Sequence, residues 1–283
     1  MASTAQTGGI LLLGASGKLG RMAVRLWPEV VGTLSNLLPV YRSDSQGLSW
    51  APGRPYDGLP TVDVVVALWG VTRGDADALA MNSTLALEAM DLAAALGARR
   101  VIHCSSAAVY APKAVALDEA TDPAPPAGYG RSKVDMERAI AKWCRANPDG
   151  PEAVCMRIGN VAGADSLFAN MRPGGTLRLD RFDTGQGPAR SYIAPSDLLR
   201  AINTLILADN PPQVVNVAAP VPTAMEALAR AAECDVVWQD APDTAVPLVW
   251  LDTTRLSVLY DIGQDRADAE TLVRDARQTG VWP

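Results

Sequence analysis

Apolar and polar residues along the first two-thirds of the chain fall into blocks whose lengths suit buried strands and amphipathic helices in turn. Ile10-Leu11-Leu12-Leu13 is a continuous apolar run stopped by Gly14, the pattern of a strand covered on both faces. Lys18 to Trp27 has helical spacing, and Pro28 predicts its end. Leu37 to Tyr41 and Val62 to Leu68 read as the second and third strands. The segment between them, Ser43 to Thr61, is rich in Gly and Pro, so a loop crossover is expected there and not a long helix. Asp75 to Leu96 is rich in Ala, Leu and Met and ends at Gly97, a helix with a C-terminal stop signal. Val101 to Cys104 predicts a fourth strand. The proline-rich stretch Ala111 to Gly128 predicts an irregular loop, Tyr129 to Ala146 a helix, and Val154 to Ile158 another strand.

Strands separated by helices of this length imply right-handed crossovers and a parallel sheet covered on both faces, a doubly wound α/β domain. The pattern changes after Gly159. Residues 160–192 carry many Gly, Arg and Asp residues with little periodicity, Ser196 to Leu207 returns to helical spacing, and Val214 to Val217 reads as a short strand. Short helical patterns and Pro-containing loops then run to Pro283. The expected organisation is a main domain over 8–160 and 194–218, with a small second lobe assembled from 161–193 and 219–283.

Composition narrows the classes of function. The chain has 283 residues, 48% hydrophobic and 20% charged, an ordinary globular balance. A net charge of −6 argues against a broad nucleic-acid surface, while a local site for an anionic cofactor stays open. Cys104, Cys144, Cys155 and Cys234 show no metal-ligand spacing. The only histidine, His103, lies inside the apolar run Val101 to Cys104 and reads as a strand residue, which disfavours a Ser-His-Asp hydrolase or a multi-His metal site. Met1 to Gly9 lacks the charged start and apolar length of a signal peptide, and no apolar segment is long enough to span a bilayer. The expectation is a soluble, cytoplasmic protein with reduced thiols.

Three places carry chemistry. Gly14-Ala-Ser16-Gly17-Lys18-Leu19-Gly20 is a G-x-x-G-x-x-G turn between a strand and a helix, where a backbone can approach a pyrophosphate held by the helix N-terminus. At the end of the second strand, Val40-Tyr41-Arg42-Ser43 has no acid before Asp44. An acid there would bond a ribose 2′-hydroxyl; Arg42, helped by Ser16 or Lys18, points instead to the 2′-phosphate of NADP, with NAD as the other possibility. Cys104-Ser105-Ser106 ends the fourth strand, the edge where ligands bind in such sheets. Tyr129 and Lys133, four residues apart at a helix start, share a face, and a cation there favours ionisation of the phenol.

Taken together, these sites resemble the extended short-chain dehydrogenase/reductase superfamily, the NAD-dependent epimerase/dehydratase family. Val62-Asp63 to Leu68, Asn82-Ser-Thr84, Ser105-Ser106-x-x-Val109-Tyr110, Tyr129-x-x-x-Lys133, Arg157-x-Gly-Asn160-Val161-x-Gly163, Arg190-Ser-Tyr-Ile193 with Asp197, and Asn216 appear in the family's order over nearly the whole chain. The resemblance implies a Rossmann-type fold with a C-terminal substrate lobe. It implies Tyr129 as acid/base, Ser106 as hydrogen-bond donor to the reacting oxygen, and Lys133 on the nicotinamide ribose, depressing the phenol. Asp63 would contact adenine, Leu68 and Ser105 would border the cofactor, Asn160 and Val161 would lie near the nicotinamide, and Arg190 matches an arginine that binds diphosphate in nucleotide-sugar members. Asn82 matches a position that is usually structural.

The chain also departs from the pattern. Ala111 stands where a glycine is usual, Trp69 and Gly70 replace a pair of alanines and would narrow the nicotinamide pocket, and no second arginine for a diphosphate is clear, Arg255 reading as a helix-start residue. Three readings follow: an NADP-dependent oxidoreductase acting on a small carbonyl or alcohol, a sugar or nucleotide-sugar epimerase or dehydratase, and a non-catalytic dinucleotide sensor. The Ala-rich helices Asp75 to Leu96 and around Trp143-Cys144 suggest a homodimer interface; a small-molecule substrate is the other expected partner.

Overall fold

The computed structural model describes residues 8–32, 36–43 and 47–283, so Asp44 and most of the N-terminal segment considered above lie outside the described residues. The first half of the chain follows its apolar blocks: β1 (Ile10–Leu13), α1 (Lys18–Val30), β2 (Leu37–Tyr41), β3 (Leu48–Ser49), β4 (Val64–Ala67), α2 (Ala76–Ala95), β5 (Arg100–Ser106), α3 (Gly128–Ala146) and β6 (Glu152–Ile158). With β11 (Val214–Val217) they form a seven-stranded parallel sheet in the order β11-β6-β5-β4-β1-β2-β3. The chain leaves β1 towards one edge and returns at β4 to build the other, so the order reverses between β1 and β4, where such sheets open a ligand crevice. This is the doubly wound, Rossmann-type sheet expected.

Two local expectations are corrected. Pro28 does not end α1, which runs on to Val30; a proline near a helix C-terminus forfeits one backbone bond without ending the helix, and Val31 still donates to the Trp27 carbonyl at 2.9 Å. The crossover after β2 is a loop, as expected, but it contains the two-residue edge strand β3, too short to show a period. Elsewhere the signals hold. Asp75 caps α2 by accepting from the Ala78 amide at 2.9 Å, and Gly97 just beyond it has φ +73°.

Both sheet faces are covered. Ile10, Leu12, Val64, Val66, Ile102 and Met156 pack with Met22 and Leu26 of α1 and with α5 (Pro195–Leu207). Leu11, Leu13, Val65, Ala67 and Val101 pack with Ala89, Met90 and Ala93 of α2. The remainder holds β7 (Asn160–Val161), α4 (Ser166–Asn170), β8 (Thr176–Arg181), β9 (Ala189–Arg190), β10 (Tyr192–Ile193), β12 (Thr223–Ala224), α6 (Met225–Ala231), β13 (Asp235–Asp240), β14 (Leu248–Val249), α7 (Thr254–Ser257) and α8 (Ala269–Gln278). A separate apolar core joins Leu167, Phe168, Tyr192, Leu228, Leu272 and Trp282. Phe168 and Trp282 meet edge to face at 5.0 Å.

Two polar devices tie this part to the sheet. Asp197 of α5 accepts from Arg266 at 2.6 Å and from Tyr260 at 3.0 Å, while Ser196 donates to Asp275 of α8 at 2.5 Å. The irregular loop 111–127 is pinned at Leu117: its amide donates to Trp250, and its carbonyl accepts from Asp252 and from the Asn216 amide group of β11. Among the described residues no helix is long and apolar enough to cross a membrane, and no group of three or more His, Cys, Asp or Glu side chains could hold a metal ion.

Candidate active site

The glycine turn has the geometry of an anion cradle. Gly14 has φ +87°, a left-handed conformation that favours glycine, and a Cβ there would lie 2.9 Å from the Trp69 backbone. A Cβ at Gly20 would collide with the Gly14 carbonyl, so only glycine lets α1 start this close to β1. Gly17 caps α1 without a side-chain bond and no acid occupies its first turn, which leaves the leading amides available to a phosphate. Ser16, Gly17 and Lys18 are exposed, Leu19 is partly buried, and Lys18 reaches across to the Ala164 carbonyl at 3.0 Å. Arg42 lies exposed at the end of β2. Leu68, just past β4, donates its amide to the Leu13 carbonyl and so lies level with the turn. These residues fit the pyrophosphate and adenosine ribose of a dinucleotide.

Ser106, the last residue of β5, and Tyr129, at the start of α3, meet at the carboxyl end of the strand, where the serine hydroxyl acts on the phenol. Ser106 also accepts from the Ala108 amide, which fixes the turn after the strand. Lys133, one turn along α3 from Tyr129, is buried; its Nζ donates to the Cys104 carbonyl at 2.8 Å and stands 5.9 Å from the Tyr129 ring. Burial pushes the phenol above its usual value, the nearby Cys104 thiol adds to this, and the Ser106 hydrogen bond opposes it. The ammonium is lowered by burial, opposed by Cys104, Cys155 and Glu137. The sequence expectation of a phenol depressed by Lys133 differs from this arrangement, in which burial sets the direction of the shift. The resting side chain is a neutral phenol.

Beside Ser106 a cavity of about 230 Å³ opens, lined among others by Tyr110, Pro112, Leu117, Ile158, Asn160 and Arg190. Asn160 donates to Asp165 at 2.6 Å, and Val161 is buried beneath it. The Arg190 guanidinium donates to the Ala189, Val246 and Pro247 carbonyls, and burial lowers its pKa. No carboxylate lines the cavity.

Two predicted site residues fall elsewhere. Asp63 precedes β4 at its amino end, where its carboxylate accepts from the Gly8 amide; the glycine turn is at the other edge of the sheet, a strand length away, so Asp63 cannot touch adenine. Ser105 points away from Ser106, as successive strand residues do, and donates to Glu137 at 2.5 Å. Glu137 also takes a buried 2.7 Å ion pair from Arg157, whose guanidinium donates to Tyr110 and lies 4.9 Å over its ring. Tyr110 in turn donates to Asn216. Sequence reasoning missed Glu137, although its place four residues after Lys133 puts it on the same helix face. Asn82 is structural as expected: it holds Val71 through both amide and carbonyl and donates to Ser132. His103 is fully buried against Met90, and burial lowers its pKa to about 3.

A family model for the NAD dependent epimerase/dehydratase family matches residues 61–218, more than half of the chain. The chain belongs to that family. Its members are NAD-dependent enzymes, and the motif resemblance to extended short-chain dehydrogenases/reductases is confirmed. A search of curated proteins found no match. Solved structures match along the whole length: TunA, an NAD-dependent NDP-hexosamine 5,6-dehydratase involved in tunicamycin biosynthesis (TM-score 0.76, 18% identity, 97% of this chain and 98% of that one). DesIV, a dTDP-glucose 4,6-dehydratase from Streptomyces venezuelae with NAD bound, aligns with TM-score 0.75 at 17% identity over 97% of this chain and 98% of that one. UDP-glucose 4-epimerase from Thermotoga maritima, with UDP-glucose, gives 0.73 at 18% over 96% and 99%. At these identities the likeness shows the fold of the epimerase/dehydratase family and leaves the substrate open.

Proposed function

We propose that the protein moves hydride between a nicotinamide dinucleotide, NADP by preference, and a carbonyl or secondary-alcohol carbon of a small substrate, with Tyr129 carrying the proton. The observation that carries this reading is the meeting of Ser106 and Tyr129 beside the cavity, on the sheet edge that also holds the glycine turn. Gly14, Ser16, Gly17, Lys18, Leu19 and Gly20 would hold the diphosphate, Arg42 the 2′-phosphate, and Leu68, Lys133, Asn160 and Val161 the rest. The bound nicotinamide would supply the hydride donor or acceptor. As a substrate carbonyl is reduced, its oxygen gains negative charge; Tyr129 donates its proton to that oxygen and Ser106 adds a hydrogen bond. A phenol kept neutral by burial is in the form that donates the proton during reduction. The cavity is smaller than the range of about 300–1,000 Å³ usual for ligand sites, which supports a small substrate. Removal of water would require another acid or base, and no carboxylate lines the cavity.

Arg190 favours a second reading, a sugar or nucleotide-sugar epimerase like some of the structural relatives: it is a cation in the cavity wall bonded only to carbonyls, suited to a phosphate. We read the core around Phe168 and Trp282 as the substrate lobe, over 161–193 and 219–283, and place a homodimer contact on the paired helices α2 and α3. Four unpaired cysteines suit a reducing compartment such as the cytoplasm.

Tyr129→Phe should lower kcat/KM about 10²- to 10⁴-fold with NADPH affinity nearly unchanged; wild-type turnover in the variant would overturn the assignment. Denaturing the purified protein and identifying released dinucleotide separates the two readings. Stoichiometric NAD supports the epimerase and sinks the NADP preference, whereas an empty protein that binds NADPH far better than NADH supports the reductase.

A further inference from the structure

The wall of the cavity beside Ser106 is mostly apolar, with Pro112, Leu117, Pro126, Ile158 and Val249 prominent in it. Four polar side chains interrupt it: Ser106, Tyr110, Asn160 and Arg190. Tyr110 is already satisfied, since its hydroxyl accepts from Arg157 at 2.9 Å and donates to Asn216 at 2.9 Å. The amide nitrogen of Asn160 is bonded to Asp165, which leaves its carbonyl oxygen. Ser106 serves the reacting oxygen. The backbone adds little. Leu117 is bonded through both its amide and its carbonyl, the Asn160 amide donates to Ser191, and the Pro126 and Ala127 carbonyls accept from Arg131.

Arg190 is the exception in this wall. Its guanidinium has five N–H donors, of which three go to the Ala189, Val246 and Pro247 carbonyls and two are left. It is partly buried, and no ion pair among the described residues includes it. Burial lowers its pKa, and the more distant Tyr192 and Asp180 oppose that only in part. A charge held away from water and bonded only to neutral oxygens is undercompensated, so an anion brought by a ligand would be stabilising there.

Resting on the hydride-transfer reading above, we propose that the substrate is a small oxo acid, an apolar carbon skeleton that brings one carboxylate to Arg190 and its carbonyl to Ser106 and Tyr129. A carboxylate matches the two remaining donors of the fork. A polyhydroxylated sugar is disfavoured, because each hydroxyl pressed against this wall gives up water and finds no replacement. A neutral ketone leaves Arg190 without a counter-ion. A nucleoside diphosphate offers the anion, but it is too large for a cavity of about 230 Å³.

The test uses probes that separate charge from polarity. Hexanoate and gluconate share a six-carbon chain and a carboxylate and differ by five hydroxyls, while hexan-1-ol keeps the chain and lacks the charge. Kd values for these and for UDP are measured by ligand-observed NMR on the full chain, with and without NADPH. Hexanoate should bind about tenfold or more tightly than gluconate and than hexan-1-ol. Equal affinity for hexanoate and gluconate, equal affinity for hexanoate and hexan-1-ol, or no hexanoate binding overturns the proposal. UDP binding more tightly than hexanoate also overturns it and gives the cavity to the nucleotide-sugar reading. Arg190→Gln should bring hexanoate down to the level of hexan-1-ol, whereas Arg190→Lys keeps the charge and should stay within about tenfold of the wild type. The same loss in both variants would mean that the guanidinium serves only its three carbonyls, and the anion site falls. If either variant fails to fold, the four probes on the wild-type chain still decide. Failure of the wild-type chain to bind NADPH or NADH sinks the proposed function, whereas the contrast between hexanoate and gluconate is read without dinucleotide and stands or falls separately.

Discussion

Arg42 and His103 show how one side chain can set a property of the whole protein. Arg42 is exposed at the end of β2, so the role proposed for it depends on ligand charge and not on packing. Replacing it by Ala should weaken NADP about tenfold or more, the value of one charge-assisted hydrogen bond, and leave NAD almost untouched. Isothermal titration with each cofactor reads the difference, and equal losses would remove Arg42 from the 2′-phosphate site. His103 is the opposite case. It titrates at about 3 in the fold and near 6.5 in the unfolded chain. Between those values the unfolded chain binds the extra proton, so its contribution is complete above about pH 6.5 and is lost as pH falls towards 3. Urea midpoints measured against pH should fall on the acid side, and His103→Gln should fall less steeply.

Those two residues also mark what the sequence could tell. Gly14 to Gly20 and Tyr129 to Lys133 are legible because each is local: the backbone conformation or the helix repeat brings the residues together without tertiary help. Asp63 misleads because a strand's two ends look alike in a string of letters, and only the parallel register with β1 shows which edge it serves. Ser105 fails for a related reason, since two adjacent serines at a strand end face opposite sides and only one can reach the site. The indole of Trp69 packs on Trp50, nineteen residues earlier in the chain and across two other strands, which no local pattern records.

At the scale of elements, the small strands of the second half were invisible because β7, β9, β10, β12 and β14 are each two residues long, too short for a period. What organises them is polar. Asp197 is 2% exposed and satisfies Arg266, Tyr260 and Arg200 together, fastening α5 to the segment before α8. Burial, with Asp197 beside it, raises the Tyr260 phenol to about 12, so the hydroxyl remains a donor over the physiological range. Asp197→Ala would leave these donors without an acceptor and should cost roughly 2–4 kcal/mol, below the full buried value because Arg266 keeps some access to water. Equilibrium urea unfolding measures it; a change under about 0.5 kcal/mol, the usual size for surface substitutions, would show that the two parts are joined by apolar packing alone.

Across the whole molecule, the sheet supplies a rigid edge and the second core supplies the opposing wall, so the cavity is built from segments far apart in the chain: 106–127 on one side, and Asn160, Arg190 and Val249 on the other. The loop 111–127 is the least regular part of that wall, and the pin at Leu117 divides it unequally in character. Leu117 is buried and bonded on both sides to the 250–252 segment, with Asn216 beneath it. Pro112 to Val115 are exposed. One flank of the cavity is therefore stitched and the other yielding. Tolerance for substrate bulk should be lopsided, with branching that presses on Pro112 accommodated by the loop and the same branching turned towards Leu117 refused.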